Sequence, residues 1–241
     1  MDMGRVRLRK ALKAGFLILP AAFLLAIGYS FVFPRVSALE KQNPQLTSFM
    51  KFRIEEARAR GRSETINQAW VSFSEISPYL VYAVIIAEDD KFWGHRGFDF
   101  EAIRTALEKN VKKKTWRYGG STITQQLAKN LYLSPSKIPL RKFREFILAW
   151  RLERTLTKKR ILELYLNVVE WGIGVFGAEA AARRYYGKCA SDLDPVEAAH
   201  LAVVLPSPRR YNPLRGTKYI EDRASKIHAI MVKRGLVKSG A

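Results

Sequence analysis

From Ala14 to Pro34 the chain carries no charged residue, and nothing else in it restricts the possible folds so strongly. The centre of this run, GFLILPAAFLLAIGYSFVF, matches the roughly 20 apolar residues needed to span a bilayer core. Signal-peptide cores are shorter, and no small-residue cleavage site of the A-x-A kind follows Phe33. The run therefore predicts a retained transmembrane helix over residues 14–34, with Pro20 tolerated near its start. Arg5, Arg7, Arg9, Lys10 and Lys13 precede it against a single acid, Asp2. Such a basic tail, residues 1–13, stays cytoplasmic, so everything beyond the anchor is expected on the outer side.

The whole chain has 241 residues and a formal net charge of +20, most of it in the body beyond the basic tail. This excess calls for an anionic partner: nucleic acid, anionic lipid or a phosphorylated substrate. An extracytoplasmic body weakens the nucleic-acid reading. Hydrophobic residues make up 48% of the chain, which is a globular composition. Roughly 200 residues beyond the anchor suffice for one sizeable core. The single cysteine, Cys189, rules out an internal disulfide and a cysteine-cluster zinc site without fixing the redox compartment.

Residues 35–69 read as a stalk, because Lys41–Arg62 is polar, mixed in charge and without a regular apolar stripe. From residue 70 to 241 the sequence reads as one domain of successive helices. Ser77-Pro78 is an N-cap and first-turn pair opening the apolar stretch YLVYAVIIAEDDKF, which should be buried. Asp99 caps the next helix, with Phe98 and Ile103 placed as a hydrophobic staple. Thr122 and Gln125 form a capping-box pattern for a helix through Leu131. Apolar positions 143, 146, 147, 150 and 156 give Arg141–Leu156 a helical period. Asp194-Pro195-Val196-Glu197 starts another helix, which Pro206 and Pro208 end. No segment alternates with period two for long, so the fold is expected to be mainly α.

Three constellations can carry chemistry. In the first, Glu88, Asp89 and Asp90 directly follow the apolar helix, with His95 and Asp99 close behind. A carboxylate at such an edge is partly desolvated and becomes a better base. The same residues also suit a solvated helix end. In the second, Gly119-Gly120-Ser121-Thr122 leads into a helix containing Gln125, Gln126 and Lys129. Glycines that admit a close ligand, free helix N–H groups, hydroxyls and a lysine suit a diphosphate. A simple capped helix accounts for the pattern equally well, and the Gly-Lys-Ser/Thr ending of a nucleotide loop is missing. The third is Arg141 and Glu145, four apart on one helix face; alone it is equally a surface ion pair.

In order and spacing these three motifs resemble the family 51 glycosyltransferases, the peptidoglycan transglycosylase module of penicillin-binding proteins and of monofunctional transglycosylases. The resemblance continues through Ile161-Leu162-Glu163-Leu164-Tyr165-Leu166-Asn167, then Gly172, Gly177 and Ala178 to Tyr186-Gly187-Lys188. It ends in Leu201–Pro208 and Tyr211-Asn212-Pro213, covering about residues 70–215. It implies a lysozyme-like helical fold with a membrane-facing apolar subdomain, behind an N-terminal single transmembrane helix. It also implies a reaction in which the 4-hydroxyl of lipid II N-acetylglucosamine attacks the anomeric carbon of a growing glycan strand. That strand is tethered through diphosphate to a polyprenyl lipid, which leaves with inversion.

By the same resemblance Glu88 is the general base. Glu145 assists the leaving diphosphate or holds a divalent cation, Mg2+ or Mn2+, and no organic cofactor is implied. Lys129 binds diphosphate, with Ser121, Thr122, Gln125 and Gln126 as polar lining. Arg141 supports Glu145. Lys137 stands where the family often has arginine, keeping the charge and losing the bidentate fork. Asp89, His95 and Asp99 support the base, and Asn167 and Glu163 hold helices together. The implied partners are lipid II, the growing strand, the membrane and other cell wall synthases, with no nucleic acid. The implied location is the bacterial inner membrane, with the catalytic domain on its periplasmic side.

Ser134-Pro135-Ser136-Lys137 and Lys238-Ser239-Gly240 imitate transpeptidase boxes. The first lies inside the glycosyltransferase motifs, and no S-D-N element or domain-sized interval accompanies the second, so a monofunctional enzyme is expected. His95, His200 and His228 are too dispersed for metal-site spacing. Two rival readings are a lysozyme-like hydrolase or lytic transglycosylase, which also uses a catalytic glutamate, and a non-enzymatic basic membrane protein that binds anionic polymers.

Overall fold

A computed structural model of the chain describes residues 23–115, 119–135 and 139–237. The basic tail, the first part of the expected anchor, Lys137 and the Lys238-Ser239-Gly240 run lie outside the described residues. Residues 23–32 are helical (α1). By length and composition the window Phe23–Glu40, of mean hydropathy 1.3, is long and apolar enough to cross a membrane.

The body is mainly α. Its helices are α2 (Ser48–Ala59), α3 (Pro78–Glu88), α4 (Phe100–Lys112), α5 (Ile123–Tyr132), α6 (Pro139–Thr155), α7 (Lys158–Val168), α8 (Ala178–Tyr186), α9 (Pro195–Val204) and α10 (Lys218–Lys233). Three short strands, β1 (Asn67–Gln68), β2 (Glu170–Gly172) and β3 (Val175–Phe176), form a small sheet with β3 in the middle. The strand β1 runs parallel to β3, and β2 runs antiparallel to it.

Two helical groups build the core. In one, α3 packs on α9 and α10; in the other, α5 packs on α6 and α7. The helices α3 and α9 are apolar nearly all round, and such helices belong in an interior. Leu80, Ala83 and Val84 of α3 and Leu201 and Ala202 of α9 are completely buried. From the second group Leu127, Leu148, Leu152 and Ile161 join the same core.

Three of the four caps read from the sequence are present, and a further one stands at Thr157. Thr122 Oγ1 accepts from Gln125 N, and the Gln125 side chain accepts from Thr122 N. Asp99 accepts from Ala102 N, and Asp194 from Val196 N and Glu197 N. Thr157 likewise accepts from Arg160 N at the start of α7. Ser77 precedes Pro78 as expected, yet its side chain does not cap α3. Its Oγ donates to Leu193 O (2.8 Å) instead, pinning α3 to the turn before α9. The helix also stops at Glu88 rather than running on to Phe92, because Asp89 turns out of helical geometry (φ −161°, ψ 70°).

Residues 35–69 are folded against the body rather than standing clear of it as a stalk. The helix α2 packs on α5 with Met50 fully buried. Arg53 Nε and Nη2 donate to Glu170 Oε2 at 3.0 and 2.8 Å. Glu170 also accepts from Arg209, which pairs with Glu64. Two charges of this stretch, Arg53 and Glu64, are therefore paired with residues more than a hundred positions away. Residue 70 is not a boundary in the packing.

The helix α1 lies along α6. Arg151 donates to the carbonyls of Ser30, Val32 and Pro34, which the end of α1 leaves without helical partners. Arg144 Nε donates to Ser30 Oγ (3.0 Å), and Phe23 and Phe31 make edge contacts with Phe143 and Trp150. An apolar groove of about 550 Å³, lined by Phe31, Phe98, Lys142, Phe143, Phe146 and Trp150, opens beside this junction.

One glycine is required by packing. A Cβ on Gly120 would sit 2.8 Å from Ile103 Cα and 2.9 Å from Ile103 N, both backbone atoms of the first turn of α4. Gly119 faces open space. Gly120→Ala is expected to destabilise the protein by about 1–3 kcal/mol, lowering the thermal midpoint in detergent, while Gly119→Ala has a much smaller effect. Equal midpoints for the two variants would contradict the close approach.

Candidate active site

The apolar helix α3 delivers Glu88 as its last residue, and the next residue fixes where that carboxylate sits. Asp89 is buried. Its Oδ2 accepts from Ile123 N (2.9 Å) at the start of α5, and its Oδ1 meets His95 Nε2 at 2.8 Å. Gly97 N donates to His95 Nδ1 (3.1 Å), which assigns the ring proton to Nε2 and makes it the donor to Asp89. Thr122 Oγ1 donates to Gly97 O (2.7 Å) and closes the circuit. The end of α3, the loop 89–98 and the start of α5 are thus locked together. Arg234 beyond α10 adds a bidentate pair to Asp90, at 2.7 and 2.8 Å.

Glu88 Oε2 accepts from Gln126 Nε2 at 2.6 Å. Burial pushes the Glu88 carboxyl above the ordinary glutamate range, and Asp89 pushes the same way. The Gln126 hydrogen bond and the charges of Arg223 and Lys129 hold it back without cancelling the rise. A carboxylate with a raised affinity for protons is a stronger base than an exposed one, which suits proton abstraction.

The second carboxylate, Glu145 on α6, is 3% exposed. Arg141 Nη1 donates to its Oε2 (2.7 Å), and Lys142 Nζ to its Oε1. Lys142 Nζ also reaches Ser121 Oγ at 3.3 Å. Lys129 on α5 interacts with both glutamates. Burial draws its ammonium below the ordinary lysine range, Glu145 and Glu88 raise it, and Arg141 and Lys142 lower it. A desolvated carboxylate, a group of cations and a clamped carboxylate therefore share one site. A cleft of about 570 Å³ beside them is lined by Glu88, Asp90, Gly119, Ser121 and Thr122, among others.

Glu88, Lys129, Gln126, Ser121, Arg141 and Glu145 are brought together as the sequence suggested. Thr122 and Gln125 are placed differently from an open polar lining: they are 2% and 1% exposed, and their side chains hold each other and Gly97. The helix N-terminus is also committed within the protein. Thr122 N donates to Gln125, Ile123 N to Asp89 and Gln125 N to Thr122. Positive charge at this site comes from side chains rather than from free helix N–H groups. Lys137 lies outside the described residues.

Three residues of the site were not singled out from sequence. Lys142 stands three positions before Glu145, a spacing that puts both on one helix face and could have revealed it. Tyr165 is fully buried and reaches Gln126, and Arg223 comes from α10. Tyr165 stands in the sequence only as one letter of the Ile161–Asn167 motif, and Arg223 has no local pattern.

The donor set does not suit a divalent cation held by protein alone. Both oxygens of Glu145 face cationic side chains, and no group of three or more His, Cys, Asp or Glu residues is placed to hold a metal among the described residues. Hard divalent ions need several oxygen ligands, which this cluster does not supply.

A family model described as Transglycosylase matches residues 55–232. A protein of Azoarcus sp. (strain BH72) named biosynthetic peptidoglycan transglycosylase is 50% identical over 197 residues, covering 82% of this chain and 85% of the relative. One of the same name from Aromatoleum aromaticum is 48% identical over 219 residues, covering 91% and 95%. A third, from Nitrosospira multiformis, is 47% identical over 200 residues, covering 83% and 87%. With a family match over most of its length and relatives about half identical along nearly all of theirs, the chain belongs to the transglycosylase family.

Proposed function

We infer that this chain polymerises peptidoglycan glycan strands from lipid II in cell wall synthesis, with Glu88 as the base. The observation that carries the reading is the juxtaposition of a desolvated carboxylate with a cation cluster: Glu88 on one side of Lys129, and Glu145 clamped by Arg141 and Lys142 on the other. The names of the close relatives supply the substrate class.

A sugar hydroxyl is a poor nucleophile. Glu88 accepts the proton of the acceptor 4-hydroxyl as its oxygen bonds to the anomeric carbon of the growing strand. The bond from that carbon to the diphosphate oxygen breaks on the opposite face, and the electron pair leaves with the lipid diphosphate. Negative charge develops there, and Lys129, Arg141 and Lys142 stabilise it. The apolar groove that shares Lys142 with this cluster offers a surface for the lipid portion. The apolar N-terminal helix supports anchorage in the bacterial inner membrane, with the domain on the outer side where lipid-linked precursor is used.

A hydrolase or lytic enzyme would also present a glutamate, but it has no use for a cation cluster facing a departing diphosphate. With labelled lipid II, wild type is expected to build long strands. Glu88→Gln is expected to lower the rate at least about a hundredfold while lipid II binding persists. Near-normal chain growth by the variant would overturn the assignment of the base. Lipid II left unpolymerised by wild type, with preformed strands cut, would overturn the synthetic reading.

The two shifted groups also fix the pH profile. Glu88 must be ionised to accept a proton, and its affinity for protons is raised, so activity is expected to fall with acid at a pH above the ordinary glutamate range. Lys129 must be protonated to hold diphosphate, and its affinity is lowered, so activity is expected to fall with alkali below the ordinary lysine range. Both limbs of the kcat/KM profile test this. Limbs at the ordinary values of the two side chains would contradict it.

A further inference from the structure

Behind the base runs a short polar relay set in apolar surroundings. Tyr165 on α7 is completely buried, with Leu164 and Leu166 beside it in the core. Its Oη donates to Gln126 Oε1 at 3.0 Å, and Gln126 Nε2 donates to Glu88 Oε2 at 2.6 Å. A buried hydroxyl is costly without a hydrogen bond, and phenylalanine would fill the same space. The hydroxyl is spent on one group, the amide that contacts the base.

We propose that Tyr165 is a positioning residue for the base, its hydroxyl fixing the Gln126 amide so that the nitrogen, and not the oxygen, faces Glu88. The inference rests on the reading of Glu88 as the base. An amide can turn over, exchanging an N–H donor for a carbonyl acceptor at nearly the same position. With nitrogen toward Glu88, the amide stabilises the ionised carboxylate. With oxygen toward Glu88 at the same short distance, two acceptors collide unless the carboxyl holds a proton and donates it. The orientation of Gln126 and the protonation of Glu88 are therefore linked.

Tyr165 decides the orientation from the far end. Its hydroxyl proton has an acceptor in Oε1, and complete burial drives its ionisation far above the ordinary tyrosine range, so it stays a donor. Other groups acting on Glu88 are Asp89 beside it, Lys129 of α5 and Arg223 of α10. They act on Glu88 through charge, and none of them is hydrogen-bonded to the Gln126 amide. Among the described residues, the hydrogen bond that Gln126 Oε1 accepts comes from Tyr165. Removing the hydroxyl leaves Oε1 unpaired in the nitrogen-facing orientation, whereas the turned amide finds a donor in a protonated Glu88. The protonated base gains relative to the ionised one.

The test is the pH profile of lipid II polymerisation by the full chain in detergent. For Tyr165→Phe the acidic limb of kcat/KM is expected to move up by about one pH unit. The rate on the acid side should fall about tenfold, and far less beyond the limb. Gln126→Leu, which removes the amide altogether, should raise the limb at least as far. The double variant should behave like Gln126→Leu alone, because both changes break one relay. A purely structural role would lower the melting midpoint and leave the limb where it is. An unmoved limb in Tyr165→Phe, or effects that add in the double variant, would overturn the proposal. Should Tyr165→Phe not fold, an unmoved limb in Gln126→Leu overturns it equally. Failure of the parent reading has a different signature: the limb then survives in Glu88→Gln.

Discussion

A buried aspartate, next in the chain to Glu88, holds the site in shape. Asp89 spends one oxygen on the first backbone N–H of α5 and the other on His95. Those bonds stop α3 at Glu88 and bring the helix carrying Gln126 and Lys129 against that end. Without them the apolar helix would have no reason to end where it does, and Glu88 no fixed distance from the cations. Removing a buried, doubly bonded carboxylate typically leaves orphaned donors behind, so the geometry is enforced by cost as well as by attraction.

The electrostatics divide along the same line. On the α3 side burial dominates, and Glu88 is left with one neutral donor, which raises its affinity for a proton. On the α6 side charge dominates, and Glu145 is held by Arg141 and Lys142. Lys129 lies under the influence of both. Two glutamates of the same chemistry are thus placed differently by their surroundings: burial raises the proton affinity of Glu88, and Glu145 gathers cations around it. The α6 side also carries the junction with the apolar N-terminal helix through Arg144 and Arg151, so the cation cluster and the candidate membrane anchor share one rigid element.

What the sequence made legible follows from how far apart the interacting residues are. The caps at Asp99, Thr122, Thr157 and Asp194 are satisfied within three residues, so three of them could be read directly and the fourth matches the same rule. Glu88, Lys129 and Glu145 were found through ordered motifs. The end of α3 was misjudged because it depends on Ile123, 34 positions away. Residues 35–69 looked like a stalk because Arg53 and Arg160 find partners more than a hundred positions distant. In the stretch read as a diphosphate cradle, the N–H groups of Thr122, Ile123 and Gln125 bond within the protein, and Gly120 serves internal packing. Tyr165 was visible only as one letter of a motif, since a buried hydroxyl gives no local sign of the amide it meets.

The state of Glu88 is the point on which the chemistry turns, and it can be observed without substrate. Difference infrared spectroscopy of the carboxyl bands during a pH titration, on wild type and Glu88→Gln, isolates this one group. A carboxylate titrating above the exposed glutamates of the same protein, and missing from the variant, is the expected result. A wild-type spectrum in which the band lost in Glu88→Gln titrates with the exposed glutamates, or below them, would contradict a desolvated base at this position.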